Sequence, residues 1–361
     1  MKYEMVKIKK NYPLEKHNTF HLDVKAKYFT EVKDEKDILE ILNQEKLAKE
    51  KILVLGHGAN ILFSQNFDGL VLKNSLQGKE IIEKNRKEII LEIAGGEDWP
   101  TLVDYVVDKE WGGIENLALV PGTAGAAPVQ NIACYGHNLE DCFISLEAIN
   151  LITGRKKVFK KTDCQFAYRS SIFKERLTNR YLVTKIRLKL DKNPKPEISY
   201  HSRYESVEKE LQRIAKKPYT IKDVYRAIVS IRKRKLPDIR RVGNAGSFFK
   251  NPVVSKKKLK ELQKKAPGIQ FYPISKLTYP KPDSLPLEQD NYVKVAAGWL
   301  LEEIGWKGKR IGNCGTWNKH ALVVVNHGQA TPNELLSFIE TIRKEVFSHF
   351  GIWLENEVEV I

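Results

Sequence analysis

The chain is poor in cysteine and has no closely spaced cysteine pair. Only four occur among its 361 residues, at Cys134, Cys142, Cys164 and Cys314. A structural zinc site needs ligands at short, regular spacings, and the eight histidines do not supply them either. We therefore expect free thiols in a reducing cytoplasm, with no metal centre and no disulfide framework.

Long apolar runs are missing as well. No stretch approaches the ~18 apolar residues of a membrane-spanning helix, and residues 1–20 lack the apolar core of a signal peptide. The composition, 42% hydrophobic and 29% charged, is typical of a globular protein with a large core. These features predict a cytoplasmic protein of roughly two or three domains without membrane insertion.

Three common active-site motifs are also absent. No G-x-G-x-x-G opens a helix, no G-x-x-x-x-G-K-[ST] occurs, and no G-x-S-x-G surrounds a serine. The sequence therefore argues against a Rossmann dinucleotide site, a P-loop nucleotidase and a serine hydrolase.

Glycine and alanine are instead concentrated in residues 112–136, GGIENLALVPGTAGAAPVQNIACYG. Such a segment lets the backbone approach a ligand closely, and exposed N–H groups can then hold a pyrophosphate. A tight buried turn between core strands is the alternative, and the stretch alone leaves both open. A second glycine turn, residues 56–60 (GHGAN), directly follows the predicted strand Lys51–Leu55.

The net charge of +16 is consistent with either of two functions. A nucleic-acid-binding protein would interleave basic residues with exposed aromatics, and we find no such stripe. Segments such as Ser255–Lys265 carry their lysines on the solvent face of a predicted helix. A basic protein also suits small anionic ligands.

Local patterns predict most of the regular structure. The predicted strands cover residues 88–94, 147–151, 156–160 and 181–190, with a hairpin turn at Thr153-Gly154. The predicted helices cover 35–50 capped by Asp34, 99–109 capped by Asp98, 293–305, and 332–350 capped by Thr331. Residues 352–361 are predicted to form a final strand that contains Glu357.

Three polar residues lie in sequence settings where a purely structural role is less natural than usual, although the pattern alone still favours that role. Arg169 among aromatics could be a structural ion pair, Ser247 an exposed turn serine or helix cap, and Glu357 a sheet-edge carboxylate. Spacing alone does not bring the three together, so the sequence pattern leaves these alternatives open.

Five blocks resemble the UDP-N-acetylenolpyruvoylglucosamine reductase (MurB) family, in its order and over nearly the whole chain. They read GIENLALVPGTAGAAPVQNIACYG, AYRSSIF, KLPDIRRVGNAGSFFKNP, AAGWLLEEIGWKGKRIG and LENEVEVI. The region of Ser199 and Tyr200 and the long segment before Lys235 resemble the family's longer form, type I, which has an extra substrate loop.

The resemblance implies an α+β fold. Two FAD-binding subdomains of the vanillyl-alcohol-oxidase (PCMH) type would precede a C-terminal α/β substrate-binding domain. The expected divisions are 1–74, joined by the C-terminal tail, then 75–237, then 238–350, with 351–361 as a strand returning to the FAD domains.

The resemblance also implies an activity, that of UDP-N-acetylmuramate dehydrogenase in peptidoglycan synthesis, cell-wall biogenesis and cell division. NADPH would supply a hydride, carried by FAD, that reduces UDP-N-acetylglucosamine enolpyruvate to UDP-N-acetylmuramate. The implied protein is a monomer that binds no nucleic acid.

Site residues follow from the same motifs. Ser247 resembles the family's proton donor, and Arg169 and Glu357 resemble the pair that polarises the substrate carboxylate. The implied FAD contacts are Gly56, Gly58, Ala59, Asn60, Pro121, Gly122, Thr123, Gly125, Ala126, Asn131 and Tyr135. The implied substrate contacts are Tyr168, Tyr200, Arg232, Lys235, Asn251 and Tyr279.

Departures in two segments of the chain, and two rival functions, stay open. His57 stands where the family often has Gly or Glu, Ala59 stands where it often has serine, and residues 316–320 (TWNKH) differ from the family's Val-His-x-x-Gln. Loss of the serine hydroxyl predicts a changed FAD affinity, and the family's contacts at residues 316–320 are not carried over. The rivals are a flavin oxidase of small alcohols, which would lack the GNAGSFFKNP block, and a nucleic-acid-binding protein.

Overall fold

A computed structural model describes residues 6–198, 206–274 and 291–361. Over the described residues, the chain divides into two compact units. The first takes Met1–Asn11, Lys27–His57 and Asp68–Arg234, and the second takes Tyr12–Ala26, Gly58–Phe67 and Lys235–Ile361. The four-part division expected from the sequence stays a prediction.

A four-stranded sheet opens the chain. Its strand order is Lys9–Pro13, Lys25–Val32, Phe67–Asn74 and Ile52–Leu55. Ile52–Leu55 runs parallel to its neighbour Phe67–Asn74, and its carboxyl end leads directly into the glycine turn at residues 56–60. Asp34 caps the Glu35–Leu42 helix as predicted, but the helix stops at Asn43 and a separate turn of helix follows at Glu45–Ala48.

A five-stranded antiparallel sheet forms the larger part of the first unit. Its order is Lys156–Lys160, Phe143–Asn150, Tyr181–Asp191, Glu88–Ala94 and Lys79–Lys84. The predicted hairpin around Thr153-Gly154 is confirmed by the pairing of Glu147 with Val158. The Trp99–Asp108 helix, capped by Asp98 as predicted, and the Ile221–Lys235 helix pack their apolar side chains into the same core.

The second unit contains two antiparallel sheets. One has the order Gly243–Ser247, His320–Asn326, Cys314–Trp317 and Arg310–Ile311, and the other has the order Val253–Ser255, Tyr292–Val295 and Phe271–Pro273. The Pro332–Phe350 helix begins at Thr331 with a complete capping box, as predicted, and ends at Gly351. Short helices and strands complete the described chain at Glu15–His17, Ile61–Leu62, Glu115–Leu117, Ala133–Cys134, His137–Asn138, Leu139–Cys142, Lys161–Cys164, Val207–Ile214, Lys256–Lys265, Ala297–Glu303 and Glu359–Val360.

The prediction of one helix over residues 293–305 is wrong. Tyr292–Val295 is a strand, and only Ala297–Glu303 is helical. Val293 and Val295 are both buried and alternate with half-buried Lys294, which is the two-residue period of a strand. Pairing on both sides, with Val253–Ser255 and Phe271–Pro273, stabilises these β-branched residues in the extended form.

The prediction of a continuous strand over residues 352–361 is also wrong. Only Glu359–Val360 is a strand, pairing in parallel with Ile61–Leu62, and Asn356 makes a single bridge to Phe249. Glu357 lies in a bend between these two points. Ile352 and Leu354 are buried and alternate with exposed neighbours, as in a strand. Among the described residues, however, their backbone does not pair with another strand.

None of the described helices combines the length and the apolar composition that crossing a membrane requires.

Candidate active site

The Pro121–Asn131 loop is held against a neighbouring backbone segment of the first unit. The N–H of Gly125 donates to the carbonyl of Gly95 at 2.8 Å, and the N–H of Ala124 donates to Glu97 at 2.9 Å. A Cβ at position 125 would lie 2.9 Å from the Gly95 oxygen and 3.1 Å from the Val183 oxygen. The loop therefore needs glycine here because two backbones almost touch.

The start of this loop presents unused hydrogen-bond donors. Within the described chain, the N–H groups of Gly122 and Thr123 donate to no acceptor. Gly122 has φ of +135°, and a Cβ there would meet no atom within 4 Å. At Gly56, a Cβ would lie 2.7 Å from the hydroxyl oxygen of Thr123. Adjacent donors beside open space form a cradle that fits the phosphates of a dinucleotide such as FAD.

His57, which follows Gly56, is one of the positions where this chain departs from the family pattern. The Nδ1 atom of His57 lies 3.5 Å from Oδ1 of Asp98, which also caps the Trp99–Asp108 helix. Burial lowers the pKa of the imidazole, the nearby Asp98 carboxylate partly offsets this, and Lys73 lowers the pKa further. The imidazole is therefore mostly neutral near pH 7.

In the second unit, Gly58 and Ala59 offer similar donors. Among the residues that the structure describes, their N–H groups have no acceptor, while the Gly58 carbonyl accepts from the N–H of Thr19 at 3.1 Å. Gly58 has φ of +63°, which only glycine adopts at low cost. Asn60 instead binds the C-terminal tail: its Nδ2 donates to the Glu357 carbonyl at 3.2 Å, and its own carbonyl accepts from Glu359 at 3.0 Å.

The far end of the Pro121–Asn131 loop is closed by side chains. Asn131, at φ of +47°, exchanges hydrogen bonds with Glu140 at 3.1 and 3.2 Å. Burial raises the pKa of the Glu140 carboxyl. Tyr135, at φ of +44°, accepts at its carbonyl from the side chain of Asn116 at 2.9 Å. These hydrogen bonds hold Asn131, at the end of the loop, and Tyr135, just beyond it, in left-handed conformations that residues other than glycine seldom adopt.

Arg169 lies at the tip of a tight turn in the first unit. Ala167 and Ser170 exchange backbone hydrogen bonds at 2.9 and 3.2 Å, which leaves Tyr168 and Arg169 as the two central residues. Arg169 has φ of +54°, and its guanidinium lies 5.7 Å from the centroid of the Tyr168 ring. Ser171, the first residue after the turn, donates its hydroxyl to the Val129 carbonyl at 2.6 Å, which connects the turn to the Pro121–Asn131 loop.

Ser247 ends the Gly243–Ser247 strand in the second unit and is half-buried, not exposed as predicted. The strand is irregular between Asn244 and Ser247, where Gly246 takes φ of +72°. The side chain of Asn244 fixes this irregularity: its Oδ1 accepts from Gly246 N–H at 3.1 Å, and its Nδ2 donates to Val242 at 2.8 Å. Asn244 therefore positions the serine that follows.

Glu357 is held next to this serine. Its N–H donates to the carbonyl of Phe248 at 2.8 Å, and Phe248 directly follows Ser247. The carbonyl of Glu357 is fixed in turn by Asn60. The backbone of Glu357 is therefore bonded to the residue that follows Ser247 in the second unit, whereas Arg169 belongs to the first unit.

Comparison with known proteins identifies the family. A model described as the C-terminal domain of UDP-N-acetylenolpyruvoylglucosamine reductase matches residues 238–361, and one described as an FAD binding domain matches residues 26–157. The UDP-N-acetylenolpyruvoylglucosamine reductase of Flavobacterium johnsoniae is 40% identical over 357 residues, covering 99% of this chain and 100% of that protein. The chain belongs to the UDP-N-acetylenolpyruvoylglucosamine reductase family.

Further relatives agree with this family. The reductase of that name from Amoebophilus asiaticus is 36% identical, with 98% of this chain and 99% of that protein covered. The crystal structure of UDP-N-acetylenolpyruvylglucosamine reductase (MurB) from Thermus caldophilus superimposes with a TM-score of 0.64 at 19% identity, covering 99% of both chains. The predicted α+β fold with an FAD-binding part of the vanillyl-alcohol-oxidase type is confirmed, and the protein is a flavin-dependent oxidoreductase.

The predicted substrate contacts of the first unit include Tyr168, which directly precedes Arg169, and Arg232. Arg232 donates to the Leu119 carbonyl at 3.1 Å and to the Cys134 sulfur at 3.2 Å, while its buried Nε has no partner among the described residues. It therefore contacts the chain on both sides of the Pro121–Asn131 loop. Tyr200 and Tyr279 lie outside the described residues.

The remaining two contacts lie in the second unit. The carbonyl of Lys235 accepts from the indole N–H of Trp317 at 3.0 Å, so this departure from the family pattern contacts a predicted substrate residue. Oδ1 of Asn251 accepts from the N–H of Ala297, the first residue of the Ala297–Glu303 helix, at 3.0 Å.

Sequence reasoning missed the side chains that hold Ser247 and Glu357 in place. Asn244 was visible only as part of the glycine-rich motif, and Arg343 only as a basic residue on a surface helix. The side chain of Arg343 donates to the carbonyl of Leu354 and to Oδ1 of Asn356, close to Glu357. No local pattern indicates these contacts, because their partners lie on other elements.

Proposed function

We propose that this chain reduces UDP-N-acetylglucosamine enolpyruvate to UDP-N-acetylmuramate with NADPH, a step of peptidoglycan synthesis. The observation that carries the proposal is the hydrogen bond from the Glu357 N–H to the carbonyl of Phe248, the residue after Ser247, in a member of this reductase family. The reaction adds one hydride and one proton across the carbon–carbon double bond of the enolpyruvyl group.

The two glycine turns would hold the FAD pyrophosphate. The N–H groups of Gly122 and Thr123, and those of Gly58 and Ala59, are the donors proposed for it. When bound, FAD carries the hydride from NADPH to the enolpyruvyl double bond. The other flavin contacts expected from the sequence, including Asn60 and Ala126, are part of the same proposal.

Ser247 would supply the proton. A serine hydroxyl is a very weak acid, so it donates only to a strong base held in contact with it, such as the enolate carbon left after hydride addition. The Gly246 turn and the side chain of Asn244 fix the backbone that carries this hydroxyl. Such fixed geometry is what a proton transfer to carbon requires.

Arg169 and Glu357 would stabilise the enolic intermediate. The planar guanidinium fork of Arg169 matches a carboxylate with two parallel hydrogen bonds, which draws electron density away from the double bond. Removing one donor that meets developing charge costs ~100–1000-fold in rate. Phe248 binds the N–H of Glu357 and Asn60 binds its carbonyl. The backbone from which the side-chain carboxylate extends is therefore fixed.

The sugar nucleotide would meet the six residues predicted for it. Tyr168, Arg232, Lys235 and Asn251 are in the described chain, and Tyr200 and Tyr279 are outside it. A net charge of +16 favours a substrate that carries a diphosphate and a carboxylate.

A serine-to-alanine exchange tests the central role. Ser247→Ala should retain FAD and be reduced by NADPH at the normal rate, because the hydroxyl takes no part in that half of the reaction. Turnover of the enolpyruvyl substrate should fall by ~100-fold or more, because no proton donor remains.

Flavin content and both half-reactions would be followed by absorbance. Ser337→Ala, on the exposed face of the Pro332–Phe350 helix, is the matched control and should behave as the unsubstituted chain. Normal turnover in Ser247→Ala would rule out the serine as proton donor.

A further inference from the structure

The C-terminal tail that carries Glu357 has little regular structure of its own. Between Gly351 and Asn356 the backbone forms no strand, and the first bridge is the single pair Asn356 and Phe249. A carboxylate at the end of such a segment needs other contacts to stay within the small displacement that catalysis tolerates.

Arg343 supplies those contacts from the neighbouring helix. Its Nε donates to the Leu354 carbonyl at 3.1 Å, and its Nη2 donates to Oδ1 of Asn356 at 2.6 Å. The guanidinium also lies 5.3 Å from the centroid of the Trp353 ring. One side chain thus contacts three of the four residues that directly precede Glu357 in the tail.

The helix makes Arg343 a rigid anchor. Pro332–Phe350 has a capping box at Thr331, and the neighbouring Ile342 is fully buried. Only 17% of the Arg343 side chain is exposed, and its remaining Nη1 atom pairs with Glu340 at 2.7 Å. A charged donor that is this enclosed makes stronger hydrogen bonds than a surface pair would.

The tail contacts continue directly to the predicted catalytic group. After Asn356, the N–H of Glu357 donates to Phe248, and its carbonyl accepts from Asn60. Asn60 also belongs to the glycine turn at residues 56–60, which is proposed to bind FAD, so a change there would alter two functions at once. Arg343 lies outside the residues proposed to bind FAD and is the better position for a test.

We infer that Arg343 is a positioning residue for Glu357, acting through Leu354 and Asn356, and that it serves only the substrate half-reaction. The inference rests on the proposed function. Loss of Arg343 should displace the Glu357 carboxylate without altering the flavin contacts or the reduction of flavin by NADPH. A merely structural role would lower both half-reactions together.

The test compares Arg343→Gln with Lys344→Gln, which removes the same charge from the next, exposed position. Under anaerobic conditions, NADPH is added first and the loss of flavin absorbance is timed. UDP-N-acetylglucosamine enolpyruvate is then added and the return of absorbance is timed. In Arg343→Gln we expect normal flavin content, normal bleaching, and a return slowed by ~10–100-fold. Lys344→Gln should match the unsubstituted chain in both phases.

Two further variants cover the case in which Arg343→Gln does not fold. Arg343→Lys keeps the charge but reaches one acceptor only, and Asn356→Ala removes the nearer acceptor while leaving the arginine. Both should slow the return of absorbance more than the bleaching. If the two residues act through one contact, the double variant Arg343→Lys/Asn356→Ala should lose no more than the worse single variant.

Three outcomes would overturn the inference. A return rate within about twofold of the unsubstituted chain would show that Arg343 does not position the tail carboxylate. Equal slowing of both phases, or loss of flavin, would show a general structural role. Failure of the unsubstituted chain to return at all would remove the proposed function and, with it, this inference.

Discussion

Within the Pro121–Asn131 loop, one glycine is required by close packing and another by its backbone conformation. At Gly125 the φ angle is ordinary, but a Cβ would lie 2.9 to 3.1 Å from three backbone atoms of Gly95 and Val183. At Gly122 the surroundings are open, but φ of +135° suits glycine alone. The two positions therefore require glycine for different reasons.

Gly125→Ala should therefore destabilise the protein. Because the neighbouring atoms are backbone and cannot rotate away, we expect a loss of about 1–3 kcal/mol in the free energy of unfolding, with less FAD retained. Gly298→Ala is the control, since its Cβ would meet Leu322 at an ordinary 3.6 Å and the residue lies in a helix. Thermal unfolding and flavin absorbance measure both, and equal melting temperatures would contradict the packing argument.

From the sequence alone, residues could be assigned candidate roles only where they belong to a recognisable family motif. Ser247, Arg169 and Glu357 came from the resemblance, and their spacing of 78 and 110 residues carries no chemical information. The structure adds that the N–H of Glu357 donates to the carbonyl of Phe248, the residue after Ser247. Their catalytic roles, like the substrate contacts, stay predictions.

At the scale of the elements, a buried carboxylate joins two helices of the first unit. Glu210, on the Val207–Ile214 helix, accepts from the Ser230 hydroxyl of the Ile221–Lys235 helix at 2.6 Å. It also pairs with Arg213 at 2.6 Å and with Arg234 at 3.4 Å. The hydrogen bond from Arg213 is the main cause that lowers the pKa of Glu210 to about 2, and Ser230 and Arg234 add to it.

This pKa predicts how stability depends on pH. A carboxyl whose folded pKa lies below its ordinary value of 4.5 stabilises the fold above that value, and the contribution disappears as the pH falls through about 2. Glu210→Gln should cost about 1–3 kcal/mol near pH 7, and the difference should shrink steadily below pH 4.5. Urea unfolding at several pH values, with Glu208→Gln as control, would measure it. A difference that is constant from neutral to acid pH would contradict the assignment.

Elements were predictable where their determinants are local. Asp34, Asp98 and Thr331 each cap a helix by reaching a backbone N–H two or three residues away, so the sequence marks these helix starts. The strand Tyr292–Val295 was missed because its partners are the strands at 253–255 and 271–273, which the sequence does not pair with it. The tail was misjudged for the same reason, since Arg343 and Asn60 hold it from other elements.

At the scale of the whole molecule, the positive charge is partly paired within the fold. Lys185 and Arg187 both bind Glu92 at 2.6 and 2.7 Å, and Arg240 binds Asp238 at 2.6 Å. Exposed pairs of this kind add little stability, and their effect is to break up a continuous basic surface. A small anionic ligand remains the proposed reason for the remaining positive charge.

The most direct test of the proposed function is the visible spectrum of the purified protein without oxygen. NADPH is added first, and UDP-N-acetylglucosamine enolpyruvate second. The account predicts a flavin spectrum that bleaches with NADPH and returns when the enolpyruvyl substrate is added. Bleaching that the substrate does not reverse would contradict the proposed reaction while leaving a flavin oxidoreductase, and a protein that takes up no FAD would contradict the cofactor cradle itself.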